Sequence, residues 1–350
     1  MSSKEVVTNS PCEQEKETVD DGYGVTTGFS FNSMPIVFVH FARLFYAGAR
    51  ISDEMINEII QISLDNDDDA IRLSMIFHSS VTQTFFIKKR YSRAVCKRFV
   101  DVYESRKEEA PTAIYSLLTR SIVEDTDYSH RLFISRNGDQ CIVIREKNQQ
   151  LSEGTTGLSL WQAACDLASC LTFHLIPPPT KVIELGSGCG LTGLAASALF
   201  PECEVLLTDC DHNVLQQLEI NIKNNNKESR VKSKHLDWTQ FTKESIPEGI
   251  NLILAADVVY DVSLLPPLCN VINMIMTCNP QSFCLISCTK RDPDTLLSFE
   301  RQIVVTGLKI RATYTCYNGS FAVEGNSFTC DLFPHSSTLD TPTIVYNITI

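Results

Sequence analysis

The sequence predicts an α/β fold, a mostly parallel sheet covered by helices on both faces, with a helical segment ahead of it. Three observations carry this. Short apolar runs at 182–185, 205–208, 231–236, 251–256 and 283–287 alternate with amphipathic stretches of helix length, as in strands joined by crossover helices. The first run continues into Gly186-Ser-Gly188-Cys-Gly190 and then Leu191-Thr-Gly-Leu-Ala-Ala, which reads as strand, glycine turn and helix. Before residue 130 the spacing is helical instead: Phe38, Phe41, Leu44 and Phe45 share one face, as do Met55, Ile59 and Ile62.

Length and composition narrow the function classes. A chain of 350 residues predicts two domains, or one large domain with an extension. Neither a signal peptide nor an apolar run long enough to cross a bilayer is present. The 14 cysteines form no CxxC pair, and several, Cys189, Cys284 and Cys288 among them, sit in apolar surroundings. That pattern suits buried thiols in a reducing compartment, with no disulfide framework and no metal site. Cys189 lies in the glycine turn without a histidine beside it, so it makes a poor nucleophile. A formal charge of −12 argues against direct nucleic-acid binding, where a basic surface supplies the affinity. It permits a cationic protein partner.

In chain order, residues 1 to about 30 are polar and read as a disordered tail. Ser52-Asp-Glu marks a helix start, and Asn66 to Asp69 a charged break. Between 88 and 106, Lys88, Lys89, Arg90, Arg93, Lys97 and Arg98 interleave with Tyr91, Val95, Phe99 and Val102. The basic set is either the solvated face of a helix or a docking surface for an acidic or RNA-bearing partner. Runs at 131–135 and 140–145 flank Asn137-Gly138, the strongest short hairpin signal. Gly154-Thr-Thr-Gly157 forms a loop and Trp161 opens a helix to about Phe173, ended by Pro177-Pro-Pro179. Trp161 is placed either to pack or to touch a cofactor. Beyond the last helix, β-rich runs at 309–317, 320–332 and 343–350 suit an antiparallel edge hairpin.

The glycines alone leave the cofactor open. Gly188-x-Gly190-x-x-Gly193 fits a dinucleotide fingerprint, and Asp209 lies where a ribose-binding acid belongs. Glu184 also makes the stretch Glu-x-Gly-x-Gly-x-Gly, the pattern of S-adenosylmethionine-dependent methyltransferases. The strand ends weigh the two. Ligands of open α/β sheets lie outside the carboxyl ends of the strands, and Glu184, Asp209, Asp237 and Asp257 stand at four such ends. Hydroxyls, an amine, an ammonium and a sulfonium match an acid-lined rim, whereas a pyrophosphate would be repelled. Any one of these acids is equally suited to capping a helix or forming a turn; four in phase favour a ligand.

With Asp209, Leu236-Asp-Trp238 and Ala255-Ala-Asp-Val-Val-Tyr260, the glycine stretch resembles the seven-β-strand protein-lysine methyltransferases, and among them the branch acting on elongation factor 2. Gly154-Thr-Thr-Gly-Leu with Trp161, the Thr289-Lys-Arg-Asp-Pro293 turn, Leu332-Phe-Pro334 and Tyr346-Asn-Ile-Thr-Ile350 share the resemblance. It is strongest over 154–260 and absent before residue 30. Val259 departs from the Met, Leu or Ile of relatives, and Cys189 from their Ala or Thr.

The resemblance implies a Rossmann-like, seven-stranded, mostly parallel sheet with an antiparallel C-terminal edge hairpin, preceded by a helical N-terminal extension. It divides the chain into a tail (1–30), a helical substrate-recognition extension (31–128), and a hairpin plus methyltransferase domain (129–350). It implies S-adenosylmethionine as cofactor. Gly186, Ser187, Gly188 and Gly190 would approach its methionine part, with Glu184 holding their loop. Asp209 would take the ribose hydroxyls, Asp237 and Trp238 the adenine, and Trp161 and Ala256 the walls. Asp257 and Tyr260 would hold the incoming lysine. The substrate would be a lysine of elongation factor 2, met in the cytoplasm by a monomer, without membrane or direct nucleic-acid contact. Another protein lysine, a small amine or a non-catalytic binding module stay open.

Overall fold

The computed structural model describes residues 31–120, 127–135, 138, 140–173, 176–317, 320–323, 326–329 and 341–350. The polar tail, Asn137 of the hairpin turn and Leu332-Phe-Pro334 lie outside the described residues.

The N-terminal region is a helical cluster: α1 (Ile36–Tyr46), α2 (Asp53–Asp65), α3 (Asp67–Phe77), α4 (Ser80–Thr84), α5 (Lys89–Ser105) and α6 (Thr112–Arg120). Ser52 caps α2 by accepting the Met55 N–H at 3.1 Å, the arrangement its sequence predicts. The charged stretch at 66–69 is less of a break than expected. Asn66 alone interrupts, accepting the Asp68 N–H at 2.9 Å. Asp67, Asp68 and Asp69 then occupy the first turn of α3, where the helix dipole favours acids. Phe41, Phe45, Phe77 and Phe99 form the centre, their ring centroids 5.2–5.7 Å apart. On α5 part of the basic face is spent internally. Arg98 meets Asp53, Arg106 reaches Asn57 and Gln61, and the Lys88 ammonium donates to the Asn148 carbonyl.

A separate hairpin follows, β1 (Tyr128–Ile134) antiparallel to β2 (Cys141–Lys147). Because side chains alternate across a strand, its two faces serve two cores. Leu132, Ile134, Cys141 and Val143 pack on the N-terminal helices, while Phe133, Ile142 and Ile144 join the core beneath the larger sheet.

That sheet contains α7 (Gln162–Cys170), β3 (Lys181–Leu185), α8 (Leu191–Leu199), β4 (Glu204–Asp209), α9 (His212–Asn224) and β5 (Val231–His235) among its strands and crossover helices. It continues with β6 (Leu252–Ala256), α10 (Leu265–Cys278), β7 (Phe283–Thr289), α11 (Pro293–Val305), β8 (Lys309–Tyr317), β9 (Ser320–Val323), β10 (Asn326–Thr329) and β11 (Thr343–Thr349). The strand order is β10-β9-β8-β11-β7-β6-β3-β4-β5. Neighbours from β7 to β5 are parallel, and β11 runs antiparallel between β7 and β8. The fold class is as predicted, with one correction: the described sheet holds nine strands, not seven. The run expected as one strand over 320–332 is two short ones, β9 and β10, paired as a hairpin beyond β8.

Helix α9 is tied to the hairpin by an amide ladder. Gln217 and Asn221 lie on its buried stripe, and Asn225, its buried C-cap, continues their four-residue spacing. Asn225 accepts the Val143 N–H at 2.8 Å and donates to the Val143 carbonyl at 2.7 Å. Asn221 accepts the Arg145 N–H at 2.8 Å, and Gln217 donates to the Arg145 carbonyl at 2.6 Å. These side chains supply the partners a neighbouring strand would otherwise give β2.

Candidate active site

The two parallel strands β3 and β6 place the site. On β3, period-two alternation sends Val182 and Glu184 to the face under α8, and Ile183 and Leu185 to the face under α10. Glu184 is therefore buried beneath the first turn of α8, where its Oε2 accepts the Gly193 N–H at 3.0 Å. Burial pushes its carboxyl up to about 8, against the opposing pull of that N–H. Gly193 is glycine because nothing else fits: a Cβ there would run into the Leu207 side chain and come within 2.9 Å of Glu184 Oε2.

The chain then turns through Gly186, Gly188 and Gly190, all at positive φ. Ser187 stitches this loop to β4: its N–H donates to the Thr208 carbonyl at 2.8 Å, and its Oγ accepts the Thr208 N–H at 2.9 Å. Thr208 Oγ1 in turn donates to the Glu184 carbonyl at 2.6 Å. Asn221 adds a hold from α9, donating to the Cys189 carbonyl at 2.9 Å. The Cys189 thiol is buried, raised well above its ordinary pKa by that burial, and faces the Gly157 carbonyl. It is a packing residue.

Above the loop lies a cavity of about 420 Å³, within the range of small-molecule sites. Every nominated residue lines it except Glu184 and Gly190. Glu184 is turned to the helix face by the strand's alternation, and a Cβ on Gly190 would face Leu218 and Leu207; both shape the loop from behind. Asp209, at the end of β4, accepts the Gly188 N–H on Oδ2 at 3.2 Å and the Asp211 N–H on Oδ1 at 3.1 Å. Burial raises its pKa while those backbone donors lower it. Asp237 forms a turn, accepting the Thr239 N–H and hydroxyl on Oδ1 at 2.8 and 2.7 Å and Gln240 on Oδ2 at 3.1 Å. The Thr239 contacts hold its carboxyl below the usual range. The Trp238 ring lies over Gly186, 3.2 Å from where a Cβ would stand. Trp161 anchors through its Nε1, which donates to the Thr156 carbonyl at 3.0 Å.

Asp257 ends β6 at φ +56°, a conformation Asp tolerates better than most side chains. Its N–H donates to the Ser287 carbonyl at 2.8 Å, and its Oδ1 accepts the Thr289 N–H at 3.2 Å. Arg291 contacts its Oδ2 at 2.7 Å. Burial pushes the Asp257 pKa up and the Arg291 charge pulls it down. Tyr260 is 58% exposed at the cavity edge, its pKa raised by partial burial and then by Asp209. In the sequence Arg291 and Thr289 are legible only as part of a turn. Their pairing with Asp257 across more than thirty residues had no signal in spacing.

The lining tests the cofactor. Among the described residues it contains Asp209, Asp211, Asp237 and Asp257 but no lysine, arginine or histidine. A pyrophosphate finds no counter-charge there, whereas hydroxyls, amines and a sulfonium find acceptors. No group of His, Cys, Asp or Glu among the described residues is arranged to hold a metal ion. No helix among them is long and apolar enough to cross a membrane.

A parallel sheet of this order, with a glycine turn and an acid-lined cavity at its carboxyl edge, defines an S-adenosylmethionine-dependent transferase. Residues 139–302 match the family described as lysine methyltransferase. The chain is 26% identical over 273 residues to protein-lysine N-methyltransferase EEF2KMT of Homo sapiens, covering 71% of this chain and 82% of that one. It is 30% identical over 191 residues to protein-lysine N-methyltransferase EFM3 of Saccharomyces cerevisiae, covering 49% and 56%. The match to the lysine methyltransferase family covers residues 139–302, and with the site geometry it indicates an S-adenosylmethionine-dependent protein-lysine methyltransferase.

Proposed function

We propose that this chain methylates a lysine of translation elongation factor 2, in the cytoplasm and as a monomer, without membrane or direct nucleic-acid contact. The observation that carries the reading is the convergence of Asp209, Asp237, Asp257, Tyr260 and the glycine loop on one cavity free of cationic lining. The likeness to EEF2KMT over most of both chains supports the substrate.

The cofactor supplies an activated methyl group on a sulfonium, so the protein's work is alignment and exclusion of water. Gly186, Ser187 and Gly188 let the backbone approach the methionine part. Asp209 keeps a lone pair on each oxygen for the ribose hydroxyls, and Trp238, over Gly186, and Asp237 would hold the adenine. Trp161 and Ala256 close the walls. Asp257 and Tyr260 would hold the lysine stem and amine beside the bound cofactor, Tyr260 by its ring face. The amine's proton leaves through solvent at the exposed Tyr260 edge. Residues 31–128 act as the substrate-recognition extension to the methyltransferase portion at 129–350.

Incubation of the protein and methyl-labelled cofactor with purified elongation factor 2 should label one lysine. An unlabelled factor, with another protein labelled in a whole lysate, would move the substrate elsewhere and leave the enzyme class standing.

A further inference from the structure

The turn after β7 brings a cation to the site that methyl transfer does not require. Arg291 places Nη2 at 2.7 Å from Asp257 Oδ2 and its guanidinium carbon 4.7 Å from the Trp161 ring centroid. Both partners line the cavity; Arg291 does not. A carboxylate and an aromatic face gathered round one point make a receptor for one organic cation, by charge-assisted hydrogen bond and cation–π attraction. A lysine ammonium asks for the same two groups, and two cations on one carboxylate repel each other.

The mobility is unequal. The Asp257 side chain is 8% exposed and Arg291's is 36%. Asp257 is fixed by Ser287 and Thr289, and Trp161 by Thr156. The Arg291 backbone is pinned as well, its N–H donating to the Thr289 carbonyl at 2.8 Å. What remains free to move is the arginine side chain, on the solvent side.

We propose that Arg291 is a resident surrogate for the target lysine, occupying the Asp257–Trp161 cation subsite until the substrate side chain displaces it. This rests on the assignment of Asp257 to the incoming lysine and gives Trp161, a wall of the cavity, a second role as an aromatic face beside Tyr260. While the surrogate is seated, Asp257 keeps a counter-charge in its buried position. Displacement sets a threshold: a lysine carried by a docked protein is helped by contacts made elsewhere, whereas a free amine is not. Arg291 thus selects protein-borne lysine over small amines.

The chain has two tryptophans, so Trp238→Phe leaves Trp161 as the fluorescent reporter. Titrating this background with n-butylammonium chloride at constant ionic strength reads the subsite directly. Arg291→Gln should tighten n-butylammonium at least about tenfold, roughly 1.4 kcal/mol, and Asp257→Asn should abolish the gain. Equal affinity in the parent and Arg291→Gln overturns the surrogate role. If Arg291→Gln fails to fold by circular dichroism, Arg291→Lys takes its place, since lysine cannot match the guanidinium's combined stack and fork. It should tighten the probe about threefold, and no tightening again overturns the proposal. Methyl transfer by Asp257→Asn separates the layers. If transfer is lost while the arginine variants leave the probe unmoved, the surrogate alone fails. If transfer persists, the assignment of Asp257 to the lysine fails first.

Discussion

Asp209 and Asp257 end two parallel strands of one sheet and line one cavity, yet only one of them is held by a side-chain cation. Asp209 is met by backbone N–H groups of Gly188 and Asp211, which the fold cannot withdraw. Asp257 has one such backbone donor, the Thr289 N–H, and beside it a side-chain cation, Arg291, on a partly exposed arm. Burial raises both carboxyls; backbone dipoles oppose it at Asp209, whereas at Asp257 the Arg291 charge is the largest opposing influence, ahead of the Thr289 N–H. Fixed donors suit a cofactor that returns to one pose in every cycle. An exchangeable partner suits a substrate side chain that must come and go.

The largest effect should come from breaking the fixed end at its foundation. Gly193→Val drives a branched side chain into Leu207 and the Glu184 carboxylate. Overpacking of this kind costs about 1–3 kcal/mol or more, and the Gly193 N–H that holds Glu184 is displaced with it. Chemical denaturation should show a loss of about 1–3 kcal/mol, with cofactor binding gone. A midpoint unchanged from wild type would mean that the strand–helix contact yields easily.

The next test splits the two carboxylates. Asp209→Ala should weaken cofactor binding roughly ten- to a hundredfold by calorimetry, the worth of hydrogen bonds to a charged acceptor. Asp257→Asn, which tolerates the same left-handed backbone, should keep cofactor affinity within about tenfold and lose methyl transfer. Equal losses of binding and transfer in both variants would erase the contrast.

Glu184 belongs to the fixed end and carries its signature in pH. Its folded pKa, about 8, lies above the ordinary value of 4.5. Between these values the native state holds a proton that the unfolded chain has released. Stability from this group is therefore full below about pH 4.5 and falls as pH rises, by about 1.4 kcal/mol per unit, levelling near 8. Glu184→Gln can still accept the Gly193 N–H and has no proton to lose. The wild-type minus variant stability difference should fall across that window and be flat above it. Parallel curves would show that the buried carboxyl does not titrate as described.

The same contrast explains what was legible in the sequence. The fixed end is built from residues close in the chain, so glycine spacing, strand-end acids and the Leu236-Asp-Trp238 run announced it. Glu184's place behind the loop came from the family resemblance; in the structure its Oε2 accepts the N–H of Gly193, nine residues away. The exchangeable end joins residues 161, 257 and 291, and only the folded sheet brings β6, β7 and the start of α7 together. The amide ladder was hidden too. Gln217, Asn221 and Asn225 stand four apart, but the apolar stripe of α9 dominated its pattern. The extra hairpin at 320–329 was missed because a continuous β-rich run does not mark where it folds back.

Asp237 offers the finest discrimination, because it lies between the two modes. Its carboxylate is half committed to its own turn, through Thr239 and Gln240, and only its remaining lone pairs face the cavity. Asp237→Ala removes both the turn and the acceptor, so cofactor affinity should drop by about fivefold, near 1 kcal/mol. Asp237→Asn separates the two contributions. Its carbonyl oxygen can still accept the Thr239 N–H and keep the turn, which places the amide N–H₂, a donor, where Gln240 and the cofactor's amine otherwise meet an oxygen. Two donors facing each other gain nothing. If the carboxylate reads the adenine amine, Asn should bind cofactor as poorly as Ala; if Asp237 serves only its turn, Asn should bind as wild type does. Calorimetry with the three proteins at one pH decides between a reader and a hinge pin for the loop.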